Sequence, residues 1–312
     1  MATVVNNLNN VYTKFSVMLQ PSCLSKIPII DFFVYSQIFS VKLKPIMKKT
    51  STLLLLTFLS STILFAHEFW LMPTKFRVKI NESVHLTFYV GENFMGELWK
   101  RKKDKTLKLT HFTNQKQIDL TDVSVKSDTN DISLNFKNEG THVLALETKN
   151  SFITLEAQKF NEYLKDDGID NIYKLRDRKG ELYKSSKEFY RRCAKTLIQV
   201  GTKSDDTYKQ NTGMPLEIIP QQNPYVSKVG DKITVKVLFN GEPLANKMVV
   251  TWNKTATVKT RQQKLRTDRN GHMTFILDRK GQWMVSTVHM IPIENNPEAD
   301  YQSFWGNLTF EF

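Results

Sequence analysis

The sequence predicts a mostly β protein built as two antiparallel, immunoglobulin-like β-sandwiches with a helical connecting segment. Two long stretches in which apolar and polar residues alternate, and a change of period between them, carry that expectation. Turn residues (Gly, Asn, Asp) punctuate both alternating stretches, as in sheets of short strands.

The chain has 312 residues. Residues 1–46 have no charge pattern of a leader and read as an upstream extension or a mis-assigned start. Residues 47–66 read as a signal peptide: Met47-Lys48-Lys49, an apolar run from Leu53 to Phe65, then Ala66. That run is shorter than the ~20 apolar residues of a membrane span. The expected product is a soluble periplasmic protein that begins at His67.

Residues 67–158 form the first expected sandwich. Val84, Leu86, Phe88 and Val90 alternate with His85, Thr87 and Tyr89, while Ile132, Leu134 and Phe136 repeat the pattern. One face of each such strand is buried and the other is solvated. Residues 159–213 change period. Phe160, Tyr163 and Leu164 share a helical face that Gly168 ends, and Ile169, Ile172, Tyr173 and Leu175 make another. Leu182 with Phe189, Tyr190 and Cys193 predicts a third helix, before a return strand near Thr196 to Val200. Residues 214–312 form the second sandwich, with strands at 216–219, 233–239, 248–252, 273–277, 283–289 and 308–312. Asn240-Gly241, Asn270-Gly271 and Lys280-Gly281 mark turns between them.

Charge and cysteine content narrow the function classes. The formal net charge is +13; six lysines and one aspartate leave with the leader, so the mature chain carries +8. The positive residues are spread among acids, apart from Lys100 to Lys105, and aromatics do not interleave with them. Neither pattern suits a nucleic-acid groove. Cys23 precedes the leader, so the mature chain has the single thiol Cys193, which reads as a packed apolar residue. No phosphate loop, dinucleotide fingerprint or nucleophile elbow is present, and the chain is not expected to be an enzyme. Asp166-Asp167 reads as a helix end and Asp205-Asp206 as a solvated loop.

Six histidines are the remaining candidates. His85, His111 and His142 alternate with apolar neighbours and are expected to face solvent; His272 follows a turn; His289 closes the apolar strand that starts at Trp283. His67 differs in kind. As a first residue it would carry a free amine beside its imidazole, two nitrogens for one chelate ring. The other common amino-terminal copper and nickel motif needs histidine third, where Phe69 stands.

Several strings resemble an exported bacterial family: His67-Glu68-Phe69-Trp70-Leu71 after a leader, Val90-Gly91-Glu92, Leu216-Glu217-Ile218-Ile219-Pro220, Gly281-Gln282-Trp283 through His289-Met290, and Trp305 with Leu308-Thr309-Phe310-Glu311. The family is the domain-of-unknown-function family 4198, whose members look like periplasmic components of nickel and cobalt uptake. The resemblance implies that His67 and His289 match two family histidines. It further implies a metal-binding accessory role beside an inner-membrane metal permease. The chemistry agrees: an α-amino group with a pKa near 8 yields its proton to a metal at neutral pH. Three nitrogens from His67 and His289 would suit divalent Ni, Co or Cu, with Glu92 or Asp300 to complete the set. A structural or adhesive sandwich without metal is the alternative reading, and a copper-dependent monooxygenase the second.

Overall fold

The computed structural model describes residues 68–100, 104–255 and 259–312, all within one compact unit, Leu64–Phe312. His67, the leader expected at 47–66 and the extension at 1–46 lie outside the described residues. The strands begin as β1 (Glu68–Pro73), β2 (Arg77–Val78), β3 (Ser83–Glu92), β4 (Met95–Leu98), β5 (Thr106–Phe112) and β6 (Gln117–Asp119). A short helix α1 (Thr121–Lys126) precedes β7 (Asp131–Asn135), β8 (Gly140–Thr148) and β9 (Ser151–Leu155). Helices α2 (Ala157–Asp166) and α3 (Asp170–Arg178) follow. The chain then runs through β10 (Ser186–Val200), β11 (Leu216–Pro220), β12 (Lys232–Phe239), β13 (Glu242–Pro243) and β14 (Met248–Lys254). It ends with β15 (Arg261–Arg266), β16 (His272–Ile276), β17 (Gln282–Pro292) and β18 (Tyr301–Glu311).

These strands make three sheets. One small sheet holds β1-β3-β4 with β7 on β3, and another holds β11-β12-β13 with β16 on β12. Between them runs a ten-stranded sheet with the path β15-β14-β17-β18-β10-β8-β5-β6. Each small sheet packs its apolar face on this large one. Val84, Leu86 and Phe88 meet Leu144, Leu146 and Ile198 in one core; Ile233, Val235 and Val237 meet Val285 and Leu308 in another. Period-two alternation thus produces the layered β architecture expected.

The large sheet passes without a break from one half of the chain to the other, and β10 is the join. Its early residues pair with β9 and its last four with β8, both antiparallel, while its other edge runs parallel to β18 from Glu188 to Thr196. The third helix expected around Phe189 and Cys193 is therefore a strand. Cys193 and Leu197 face one core, and Ala194, Ile198 and Val200 face the other. In the first half of β10 the buried positions include the polar Ser186 and Glu188 while Phe189 and Tyr190 stay half-exposed, so the apolar residues do not mark the buried face.

Two further differences have the same kind of cause. Strand β15 is polar and charged apart from Leu265 and lies at a sheet edge, where charge discourages pairing with other chains. One apolar residue gives no alternation to read. His111 and His142, expected to face solvent, are only 7% and 2% exposed. They lie on β5 and β8, inside the large sheet, where Phe136 packs edge-on against both rings. His85 does stay exposed, paired with Asp131 at 2.8 Å.

Candidate functional site

The pocket at the start of β1 is assembled from three directions. Glu68 opens β1 and pairs with Gly91 of β3, so Glu92 follows beside it. The chain then turns through Asn93 and Phe94, both at positive φ, into β4. Buried Phe94 meets Trp70 edge-on at 5.5 Å, which pins this hairpin to β1.

Helix α2 brings further carboxylates, Asp166 and Asp167. Its apolar face (Phe160, Tyr163, Leu164) docks on Val288, Met290, Tyr301 and Trp305, with Tyr163 stacked on Trp305 at 5.9 Å. The helix ends in a Schellman motif. Gly168, at φ +61°, donates to Lys165 O at 3.2 Å, and Ile169 donates to Leu164 O at 2.7 Å. Asp167, the residue before Gly168, is thereby held over the pocket at the negative end of the helix dipole.

Sheet residues supply the floor. An outer cavity of about 420 Å³ is lined by Glu68, Glu92, Asp166, Asp167, Trp252 and Lys264. Glu68 and Asp167 also line an inner recess of about 20 Å³, which reaches Ser286 and Asn307. That volume fits about one water molecule or ion. Asn307 is buried, and neither its amide nitrogen nor its oxygen has a hydrogen-bond partner among the described residues. An unpaired buried amide group costs on the order of 1–3 kcal/mol, so such atoms point to an occupant.

The electrostatics match that geometry. Burial, with added repulsion from Glu92, pushes the Glu68 carboxyl up to about 7. Burial and the charge of Glu68 push Asp167 up to about 8, partly offset by Lys264 and Lys247. Lys247 itself is held down to about 8 by burial, and its ammonium donates to Gly168 O at 3.1 Å. Two carboxyls competing for the same protons is a pattern of functional sites.

Glu92 alone of the carboxylates and the second histidine expected from the sequence lines this pocket. His289 lies on the opposite face of β17 from its neighbour Val288, which lines the recess. Its ring packs on Phe239 at 4.4 Å, and burial with the nearby Lys247 holds it down to about 4. Asp300 is remote from His289. It precedes β18, where Tyr301 pairs with Pro292 and Phe304 with His289, a separation of about 13 Å along the strand. Its carboxylate accepts from Lys187 N at 2.8 Å and secures β10. Among the described residues no group of three or more His, Cys, Asp and Glu is placed to hold a metal ion. His67, which immediately precedes Glu68, lies outside them.

Sequence reasoning passed over Glu68, Asp167 and Asn307. Asp167 was legible as the end of α2, but only the docking of α2 on β17 and β18 brings it to Glu68. Cys193, by contrast, is buried as expected, and burial pushes its thiol up to about 12.

Among the described residues no helix is long and apolar enough to cross a membrane. No curated protein matches the chain. Solved structures similar to it include the D0-D1 domain of intimin, at 13% identity over 78% of this chain and 97% of that one, with a TM-score of 0.18. A two-domain fibronectin type-III segment of chicken tenascin has 9% identity over 75% and 95% of the two chains, with a TM-score of 0.20. Salmonella alpha-2-macroglobulin reacted with methylamine has 10% identity over 78% of this chain and 15% of that one, with a TM-score of 0.21. A family model matches residues 64–291, from before β1 to the end of β17, and by that match the chain belongs to the family described as Domain of unknown function (DUF4198).

Proposed function

We propose that this protein is an exported metal-binding accessory of nickel or cobalt uptake, which holds the ion at the mature amino terminus. Asn307 carries this reading. Its buried, unpartnered amide faces a recess the size of one ion, walled by Glu68 and Asp167. The residue before Glu68 is His67, whose amine and imidazole would add two nitrogens once the leader is cut. Two nitrogens with carboxylate and amide oxygens form a mixed donor set that suits Ni(II) or Co(II) better than the three-nitrogen plane favoured by Cu(II). Glu92 on the rim adds negative charge that favours a cation, and proton release from Glu68 and Asp167 would accompany binding.

His289 is not among the residues that line the recess, so the proposed donors do not include it. Lys247 lies within electrostatic reach of both Asp167 and His289. Delivery to an inner-membrane permease is the role that an exported binding protein of this kind would serve.

The test is calorimetric titration of Ni(II) and Co(II) into protein purified from the periplasm, with mass spectrometry of its first residue. Asp167→Asn and Asn307→Leu should each weaken binding by about ten- to hundredfold, the range for groups that hold or orient a metal. A mature chain that does not start at His67, or wild-type affinity in both variants, would overturn the reading. Full stability and no metal uptake would favour a purely structural sandwich.

A further inference from the structure

A second cavity, lined by none of the recess residues, lies between β5, β7 and α1. It measures about 340 Å³, at the small end of the ~300–1,000 Å³ typical of small-molecule sites. His111 and His142 both line it, and their rings are in contact: His111 Nε2 lies 2.7 Å from His142 Nδ1.

The hydrogen bonds fix which nitrogens carry protons. His142 Nε2 lies 2.9 Å from the carbonyl oxygen of Asn138, which can only accept. His142 Nε2 is therefore protonated, its Nδ1 is an acceptor, and His111 Nε2 donates to it. One set of neutral tautomers satisfies both bonds. It leaves His111 Nδ1 as a bare lone pair, with no hydrogen-bond partner among the described residues. Burial, reinforced by His142 and Lys116, pushes His111 down to about 3, so this nitrogen stays unprotonated at neutral pH.

The surroundings select what the lone pair can meet. Leu134, Phe136 and Val123 give apolar walls, while Lys116 and Lys137 stand exposed on the rim. A metal ion is disfavoured, because the lysines repel it and one nitrogen falls short of the three or four ligands a bound transition metal needs. An anion with an apolar body fits both features.

We propose that this cavity binds a small carboxylic acid with an apolar ring and a hydroxyl donor. The hydroxyl donates to His111 Nδ1, and the carboxylate meets Lys116 and Lys137. The site is independent of the metal reading, since neither histidine touches the recess.

Three probes titrated calorimetrically into the intact protein test it. 4-Hydroxyphenylacetate carries ring, hydroxyl and carboxylate; 4-methoxyphenylacetate lacks the donor; tyramine replaces the carboxylate with a cation. The first should bind, and each of the others should bind at least about tenfold more weakly. His111→Phe should remove the preference for hydroxyl over methoxyl. Lys116→Glu, an exposed change that spares the fold, should weaken the acid and not tyramine, so the proposal stays testable if His111→Phe is unstable. Failure of the acid to bind, equal affinity for all three probes, or wild-type binding by both variants would each overturn the site.

Discussion

Lys195 Nζ donates to Glu217 Oε2 at 2.6 Å, and both side chains are 2% exposed. The other Glu217 oxygen accepts from Thr212 N at 2.9 Å, from Met214 N at 3.0 Å and from the Thr212 hydroxyl. One buried pair thus ties β10, the strand shared by both halves, to the loop that leads into β11. Lys195→Met should destabilise the protein by about 3–5 kcal/mol, because it leaves the Glu217 charge buried and uncompensated. Adding Glu217→Gln should recover part of the loss, since a neutral amide oxygen still accepts from the loop. Urea unfolding of the single and double variants measures both effects, and a single-variant loss under about 1 kcal/mol would mean that solvent reaches the pair.

Acid should unfold the protein partly through His111 and His142. An unfolded histidine titrates near 6.5, whereas burial holds His111 at about 3 and holds His142 below its ordinary value. As pH falls through 6.5 the unfolded chain takes up protons that the folded chain refuses. The contribution of His111 is therefore whole above about 6.5 and declines toward 3, by up to about 1.4 kcal/mol per pH unit, and His142 adds to the decline in the same direction. Lys116 reinforces the effect on His111, while Asp205 and the Asn138 carbonyl moderate it for His142. His111→Phe should flatten the decline between pH 6.5 and 4 by about one proton. Parallel stability curves for variant and wild type would show that His111 titrates normally.

Local alternation was enough to expose most strands, because one face of each is buried and one is solvated. It failed where polar residues take the buried positions: the first half of β10, with Ser186 and Glu188 inside, read as a helix, and buried His111 and His142 read as solvated. Strand β15 was invisible for a different reason, having Leu265 as its one apolar residue and so no alternation. The site was legible only in part. Glu92 could be named from its string, but Glu68, Asp167 and Asn307 are 99, 140 or more than 200 positions apart in pairs. Only the stacking of α2 on the β17–β18 surface joins them. His289 was singled out by its place at the end of an apolar strand, yet strand parity decides which face it takes. That parity turns it toward Phe239 and away from the recess.

The hairpin that carries Glu92 depends on two glycines set opposite each other. Gly91 pairs with Gly96, and a Cβ added to Gly91 would run into the Met95 carbonyl and the Gly96 backbone. Backbone atoms cannot move aside as a side-chain tip can. Gly91→Ala should therefore destabilise by about 1–3 kcal/mol and shift Glu92 on the pocket rim. Thermal unfolding checks the first effect, and Ni(II) titration of the folded fraction checks the second. Unchanged melting would show that β4 slides without penalty.

Glu188 should make the protein less stable as pH rises through neutrality. Its carboxyl is buried on β10; one oxygen accepts from the Tyr163 hydroxyl at 3.2 Å and from the Ser303 hydroxyl, and the other has no partner among the described residues. Burial pushes it up to about 7 despite those two donors. An unfolded glutamate ionises near 4.5, so between about 4.5 and 7 the unfolded chain releases a proton that the folded chain keeps. The stabilisation from this group is whole below 4.5 and gone above about 7, where the fold must hold an under-solvated anion. Glu188→Gln keeps an oxygen for Tyr163 and Ser303 and carries no charge. It should leave the melting temperature nearly unchanged at pH 4.5 and raise it at pH 8 by several degrees, the response to about 1–2 kcal/mol in a chain of this size. Calorimetry at the two pH values separates this from a purely steric effect, which would move both melting temperatures alike.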